Sequence, residues 1–250
     1  MTKECAIFLV SGSDTAVGKT VFTGLLGQYI KNIGFRARLA KPFCSGGRKD
    51  IQFLAECAAV DEREINYWYH NEPISPATWE LRTGKRVDFM GSVKWVKKLE
   101  ESFKGQGESG VLLVEGVGGL LAPLDQVATV ASLGQALGSQ LILVVPNRVG
   151  AVNHVLLNTE AALGHGLSVA CIVLMQLEEP DESAIDNAKL MQIHLPKMAD
   201  FKGIFEFPWL GEGADDSALN SVNLKKAEGV LEVIFDECIL PILGHNTSVT

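Results

Sequence analysis

The stretch VSGSDTAVGKTVF, residues 10–22, decides how the chain folds. An apolar run ends at Ser11, a glycine-bearing loop follows, and an apolar-periodic segment opens at Gly18 and Lys19. A phosphate-binding loop needs this strand–loop–helix order, because the N–H groups of the loop and of the helix start then converge on one point. The partial positive charge at a helix N-terminus adds to them. Compared with the common signature G-x-x-x-x-G-K-[ST], the loop is one residue longer, with Ser13, Asp14, Thr15, Ala16 and Val17 all standing between Gly12 and Gly18. Lys19 would reach the terminal phosphates as a point charge, and Thr20 would present its hydroxyl to Mg²⁺. A glycine turn before an ordinary helix, with Lys19 in water, is the plainer alternative. Placement directly after an apolar first strand favours the phosphate loop.

Outward from this loop, short apolar runs alternate with segments of helical period. The runs are residues 6–11 (AIFLVS), 36–42 (RARLAKP), 110–116 (GVLLVEG), 140–146 (QLILVVP), 167–175 (LSVACIVLM) and 202–208 (KGIFEFP). They are too apolar for strands with one wet face, so helices are expected on both faces of a mainly parallel sheet, an α/β architecture. Helices are expected from Lys19 and near Asp50, Val87, Gln126, Gly150, Asp181 and Leu224. Residues 67–86 (YWYHNEPISPATWELRTGKR) are rich in Pro, aromatic and polar side chains and read as a long irregular loop. No domain-sized linker, repeat or low-complexity tract interrupts residues 1–250, so one domain is expected.

A chain of 250 residues that is 47% hydrophobic can bury a substantial core. Its net charge of −8 and lack of a basic run argue against a general nucleic-acid surface. Cys5, Cys44, Cys57, Cys171 and Cys238 are scattered, without C-x-x-C spacing, and read as reduced thiols of a cytoplasmic protein. The opening residues lack the long apolar core of a signal peptide, and no apolar run approaches bilayer length. The sequon-like NTS at Asn246 therefore reads as a plain polar tail.

Two further elements bear on the loop. Glu115 ends an apolar strand and is followed by a glycine-rich turn, GVGG, at the carboxyl edge where open α/β sheets bind ligands. It can hold Mg²⁺ opposite Thr20, or it can be a strand-end carboxylate satisfied by water. Lys41 ends the second strand on the same edge and could stabilise charge on a transferring phosphoryl group. Asp50, at the next helix start, could be a second Mg²⁺ carboxylate. A snorkelling lysine and an N-cap aspartate are the alternatives, and the residues alone leave both open.

Taken together, these motifs resemble the dethiobiotin synthetase family, ATP-dependent ligases of biotin biosynthesis with a three-layer P-loop NTPase fold. The matching stretches are GSDTAVGKT from Gly12, KPFCSG from Lys41, EPISP in residues 72–76, VEGVGG around Glu115, VGAVNH from Val149 and FPWL from Phe207. They stand in family order from Gly12 to Leu210. The resemblance implies that the longer loop holds the ATP phosphates through Ala16, Val17, Gly18, Lys19, Thr20 and Val21, with Gly116, Val117 and Gly118 alongside. Thr20, Asp50 and Glu115 would hold Mg²⁺. Thr15, Lys19, Lys41 and Ser45 would surround the amino groups of 7,8-diaminopelargonic acid, its carbamate and the γ-phosphate, with Thr15, Lys19 and Lys41 catalytic. In the family a carbamate forms from CO₂ on one amine and attacks the γ-phosphate, and the second amine then closes the ring. The family is a homodimer whose substrate carboxylate binds a helix start, here Gly150, Ala151, Val152 and Asn153.

The sequence departs from the family where the base is usually read by an Asn-Asp pair, since Met175 and Gln176 stand there. Gln176 can offer one donor and one acceptor, while Met175 can make no bidentate contact, so base preference stays open. Pro208, Trp209 and Leu210 would flank the base, and Asp215 is placed for the ribose. Ser13 keeps the hydroxyl of the family's threonine. The histidines, His154 among them, read as structural or surface groups. Competing readings are a glutamine-dependent amidoligase, which would need a longer C-terminal half, a partitioning or regulatory ATPase, and a relative with altered catalysis. The second of these usually has an extra lysine early in its loop, where Ser13 and Asp14 stand here.

Overall fold

The computed structural model describes residues 5–103 and 109–243; Asn246 and its tail lie outside them. The strands are β1 (Cys5–Gly12), β2 (Arg36–Ala40), β3 (Phe43–Ser45), β4 (Trp68–His70), β5 (Gly110–Gly119), β6 (Gln140–Pro146), β7 (Val169–Met175) and β8 (Gly203–Phe207). Six of them form one sheet in the order β2-β5-β1-β6-β7-β8, and every neighbouring pair is parallel. These are the six apolar runs read from the sequence. The helices are α1 (Lys19–Asn32), α2 (Lys49–Ala58), α3 (Glu62–Ile65), α4 (Pro76–Thr83), α5 (Phe89–Glu101), α6 (Val130–Leu137), α7 (Ala151–Gly164), α8 (Asn187–His194) and α9 (Asn220–Ile234).

Alternation along β1 shows why both faces are covered. Ala6, Phe8 and Val10 enter one apolar cluster with Phe22 and Leu26 of α1, Leu54 of α2 and Leu231 of α9. Ile7 and Leu9 enter the other with Val96 of α5, Leu133 of α6, Val155 of α7 and Met191 of α8. A strand whose two sets of side chains are both buried needs a helical layer on each side. Among the described residues no helix is long and apolar enough to cross a membrane.

Residues 67–86 are not one irregular loop. Trp68–His70 pairs in parallel with Phe43–Ser45 as a two-stranded ribbon, and Pro76–Thr83 is helical. The helix has the usual signals: Ser75 accepts from the Thr78 N–H, Pro76 stands in the first turn, and Gly84 stops it at φ 68°. Trp68, Trp79, Phe43 and His70 pack against one another in tilted and edge-on contacts, which leaves the two tryptophans and His70 half-buried. Other helix starts shift by a few residues. The Gln126 region is a turn on Asp125, and α6 starts instead at the Thr129–Ser132 capping box. A short 3₁₀ turn (Glu182–Ile185) precedes α8, and α9 begins at Asn220 rather than Leu224.

Candidate active site

β1 delivers the loop to the carboxyl edge of the sheet between β5 and β6. The loop is anchored by the Ser13 N–H donating to the Val144 carbonyl at 3.0 Å. Ala16 adopts φ 56° and Gly18 φ 92°, left-handed conformations that turn successive N–H groups the same way before α1 begins. Gly18 suits this position because only glycine meets no penalty there; Ala16 carries some strain. Lys19 folds back so that its Nζ donates to the Asp14 carbonyl at 2.9 Å. Burial lowers its pKa to about 8, against the pull of Glu115 in the other direction.

Lys41 follows β2 directly. Its N–H donates to the Ile65 carbonyl and its carbonyl accepts from Asn66 Nδ2, so the turn after α3 fixes its backbone. Its ammonium lies 2.8 Å from Asp50 Oδ2 and also donates to Glu115 Oε1. Burial alone would lower the Lys41 pKa, but the Glu115 and Asp50 carboxylates more than reverse this and hold it above the ordinary lysine value. Asp50 is in the first turn of α2 and makes no cap; the residue before the helix is Arg48.

Glu115 is fully buried in β5. Its Oε1 accepts from Lys41 and, at 2.8 Å, from the Thr20 hydroxyl, while its Oε2 is buried with no hydrogen-bond partner. A carboxylate oxygen left in that state is costly unless a cation or donor meets it. Among the described residues no group of three or more His, Cys, Asp or Glu is placed to hold a metal. The set present, one hydroxyl and two carboxylates facing a phosphate loop, fits Mg²⁺, which takes one or two carboxylates and completes its shell with phosphate and water.

These groups face a cavity of about 990 Å³. It brings together Thr15, Ala16, Val17, Gly18, Lys19, Thr20 and Val21 of the loop with Lys41, Ser45 and Asp50. Glu115, Val117, Gly118, Trp209 and Asp215 line it too. Gly116, Gln176, Pro208 and Leu210 lie outside the lining, as do Gly150, Ala151, Val152 and Asn153 at the start of α7. Leu210 packs into the core, and Gln176 is engaged with Glu206 through its amide N–H at 2.8 Å. Met175 reaches the loop through its side chain, which packs beside Gly18.

The cavity also takes residues to which the sequence reading assigned no role: Asp14, Pro73, Ile74, Ser75, Leu121 and the Gly211–Ala214 turn. Leu157, Asn158 and Ala161, one helical turn of α7, line it as well. The EPISP stretch and the paired glycines after FPWL were usable signals; nothing local marked the α7 positions.

A family model described as an AAA domain matches residues 7–214. The ATP-dependent dethiobiotin synthetase of Chlorobaculum tepidum is 31% identical over 192 residues, covering 73% of this chain and 78% of its own. That of Bacillus cereus is 28% identical over 234 residues, covering 90% and 94%. Among solved structures, the signal recognition particle receptor FtsY from Elizabethkingia anophelis in complex with GDP superposes with a TM-score of 0.52 at 14% identity. It covers 90% of this chain but 64% of that one, a likeness of fold alone. With an AAA-domain match across most of its length and relatives similar along 78% and 94% of theirs, the chain belongs to the ATP-dependent dethiobiotin synthetase family.

Proposed function

We propose that this protein is a dethiobiotin synthetase, joining CO₂ to 7,8-diaminopelargonic acid at the expense of ATP and closing the ureido ring, in one cytoplasmic domain that works as a homodimer. The observation that carries the reading is the meeting of Lys19, Lys41, Thr20, Asp50 and Glu115 around one cavity beside the phosphate loop.

One amine of the substrate adds to CO₂, loses a proton and becomes a carbamate. Its oxygen attacks the γ-phosphorus, ADP leaves, and the second amine displaces phosphate from the carbonyl carbon as the ring closes. The difficulty is that an anionic carbamate must approach an anionic triphosphate. Lys19 and Lys41 supply positive charge on either side of that approach, and the N–H groups of the loop hold the phosphates. Mg²⁺, held by Thr20, Asp50 and Glu115, would neutralise charge that develops on the phosphate oxygens. Thr15 and Ser45 have hydroxyls for the amines and the carbamate. Both amines belong to one molecule, so ring closure needs orientation rather than a second encounter.

The α7 start lies outside the cavity of its own chain. A dimer in which one copy's Gly150–Asn153 segment closes the other's site accounts for this, with N–H groups there taking the substrate carboxylate. Five buried thiols suit a reducing compartment.

The test is incubation of the purified protein with the diamine, bicarbonate, Mg²⁺ and each of the four common nucleoside triphosphates in turn. Dethiobiotin and stoichiometric phosphate are expected. No dethiobiotin with any of them removes the assignment, and phosphate release that ignores the diamine supports a regulatory ATPase instead.

A further inference from the structure

The candidate metal donors are already engaged. Lys41 Nζ sits 2.8 Å from Asp50 Oδ2 and donates to Glu115 Oε1, the same oxygen that accepts the Thr20 hydroxyl at 2.8 Å. Lys41 is 3% exposed and Glu115 fully buried, so this pair has left water and each partner depends on the other. A Mg²⁺ ion bound by Asp50 and Glu115 would stand about 2.1 Å from their oxygens. The ammonium now bridges Asp50 Oδ2 and Glu115 Oε1, and a second cation brought against the same two carboxylates is repelled by it. Glu115 Oε2 is buried without a partner, whereas Asp50 is 47% exposed, so an entering ion meets Asp50 first and then supplies the missing partner of Glu115.

We propose that Lys41 is an internal counter-cation that closes the metal site of the free protein, and that the divalent ion arriving with the triphosphate displaces it. The inference rests on the reading of Thr20, Asp50 and Glu115 as metal donors. In the free state Lys41 keeps two neighbouring carboxylates from facing each other unpaired. Once displaced, its flexible four-carbon stem lets the ammonium swing toward the anionic reactants. The lysine is therefore released for catalysis only when metal and triphosphate are both in place. Metal binding and the placing of Lys41 are one exchange.

Mn²⁺ retained with the full chain on ultrafiltration, against a nucleotide-only control, tests this without turnover. The wild type is expected to bind Mn²⁺ alone weakly and to take it up when a non-hydrolysable ATP analogue is added. Lys41→Met, of similar length and uncharged, is expected to bind Mn²⁺ without nucleotide at least about tenfold more tightly than the wild type. Lys41→Gln, which keeps an N–H donor for Glu115, makes the same comparison if the methionine variant does not fold. Wild-type protein that binds Mn²⁺ equally well with and without nucleotide would overturn the proposal, as would variants that bind no more tightly. No uptake by the wild type even with the nucleotide analogue strikes the metal-donor reading itself, and the proposal with it.

Discussion

Alanine at position 12 would add one methyl group at the tightest point of the phosphate loop. A Cβ on Gly12 would stand 2.6 Å from Val17 Cγ2, 2.7 Å from the Asp14 carbonyl oxygen and 3.0 Å from Lys19 Nζ. Carbon atoms in ordinary contact are about 3.5–4.0 Å apart, so Val17 must retreat by about 1 Å. Val17 is buried against the core and has little room to turn. The Asp14 contact is backbone, and its carbonyl is the acceptor that holds Lys19. Overpacking of this kind costs about 1–3 kcal/mol, and at about 2–4 °C per kcal/mol for a chain of this size the melting temperature falls by about 2–12 °C. Nucleotide affinity is expected to fall by at least about tenfold, or 1.4 kcal/mol, because the displaced peptides carry the N–H groups that meet phosphate. The matched control is Gly229→Ala. Gly229 is exposed inside α9 and a Cβ there meets nothing within 4 Å, so the change is expected to add about 0.5–1 kcal/mol and leave nucleotide binding alone. Thermal melts with and without Mg-ATP, together with calorimetric titration of the nucleotide, read both variants. A Gly12→Ala protein with wild-type affinity would refute the claim that residues 12–18 form a preformed phosphate cradle.

Lys41→Ala is expected to lower kcat by on the order of 10²–10³ while the Kd for nucleotide measured without divalent ion stays within about threefold; equal losses in a steady-state and binding comparison would make it a plain phosphate anchor. Ser75→Ala removes the acceptor for the Thr78 N–H at 3.1 Å and is expected to cost about 1 kcal/mol in a chemical melt; no loss would show that α4 holds without its cap. Burial pushes the thiols of Cys5 and Cys57 up to about 12 and that of Cys44 up to about 11. None of the five cysteines should therefore react with iodoacetamide at pH 8 until the chain is unfolded, and rapid native labelling seen by mass spectrometry would contradict their burial. The same shifts mean that above the ordinary 9.0 the unfolded chain releases thiol protons that the folded chain retains, so these groups lower stability as pH rises through that value.

The six strands of the main sheet and the loop after β1 were legible because their signals are local. Apolar runs bounded by glycine, and Gly-Lys-Thr at a helix start, depend on neighbours in sequence. The ribbon Phe43–Ser45 with Trp68–His70 was hidden because its strands are three residues long and its pairing is distant. The α4 helix is masked for a different reason: its start and stop are written in Ser75, Pro76 and Gly84, but the dense aromatics and prolines around them read as irregular.

For Lys41, Asp50 and Glu115 the sequence by itself determined the residue types and the sheet edge on which they stand. Lys41 as a free cation and Asp50 as a cap were equally good readings there. Only the tertiary structure decided that Lys41 is paired with both carboxylates, that one oxygen of Glu115 is left without a partner, and that the α7 start lies outside the lining of its own cavity. The physical reason is that pairing and desolvation are set by which groups the fold encloses together, across 74 residues in the case of Lys41 and Glu115, and no local pattern records that enclosure.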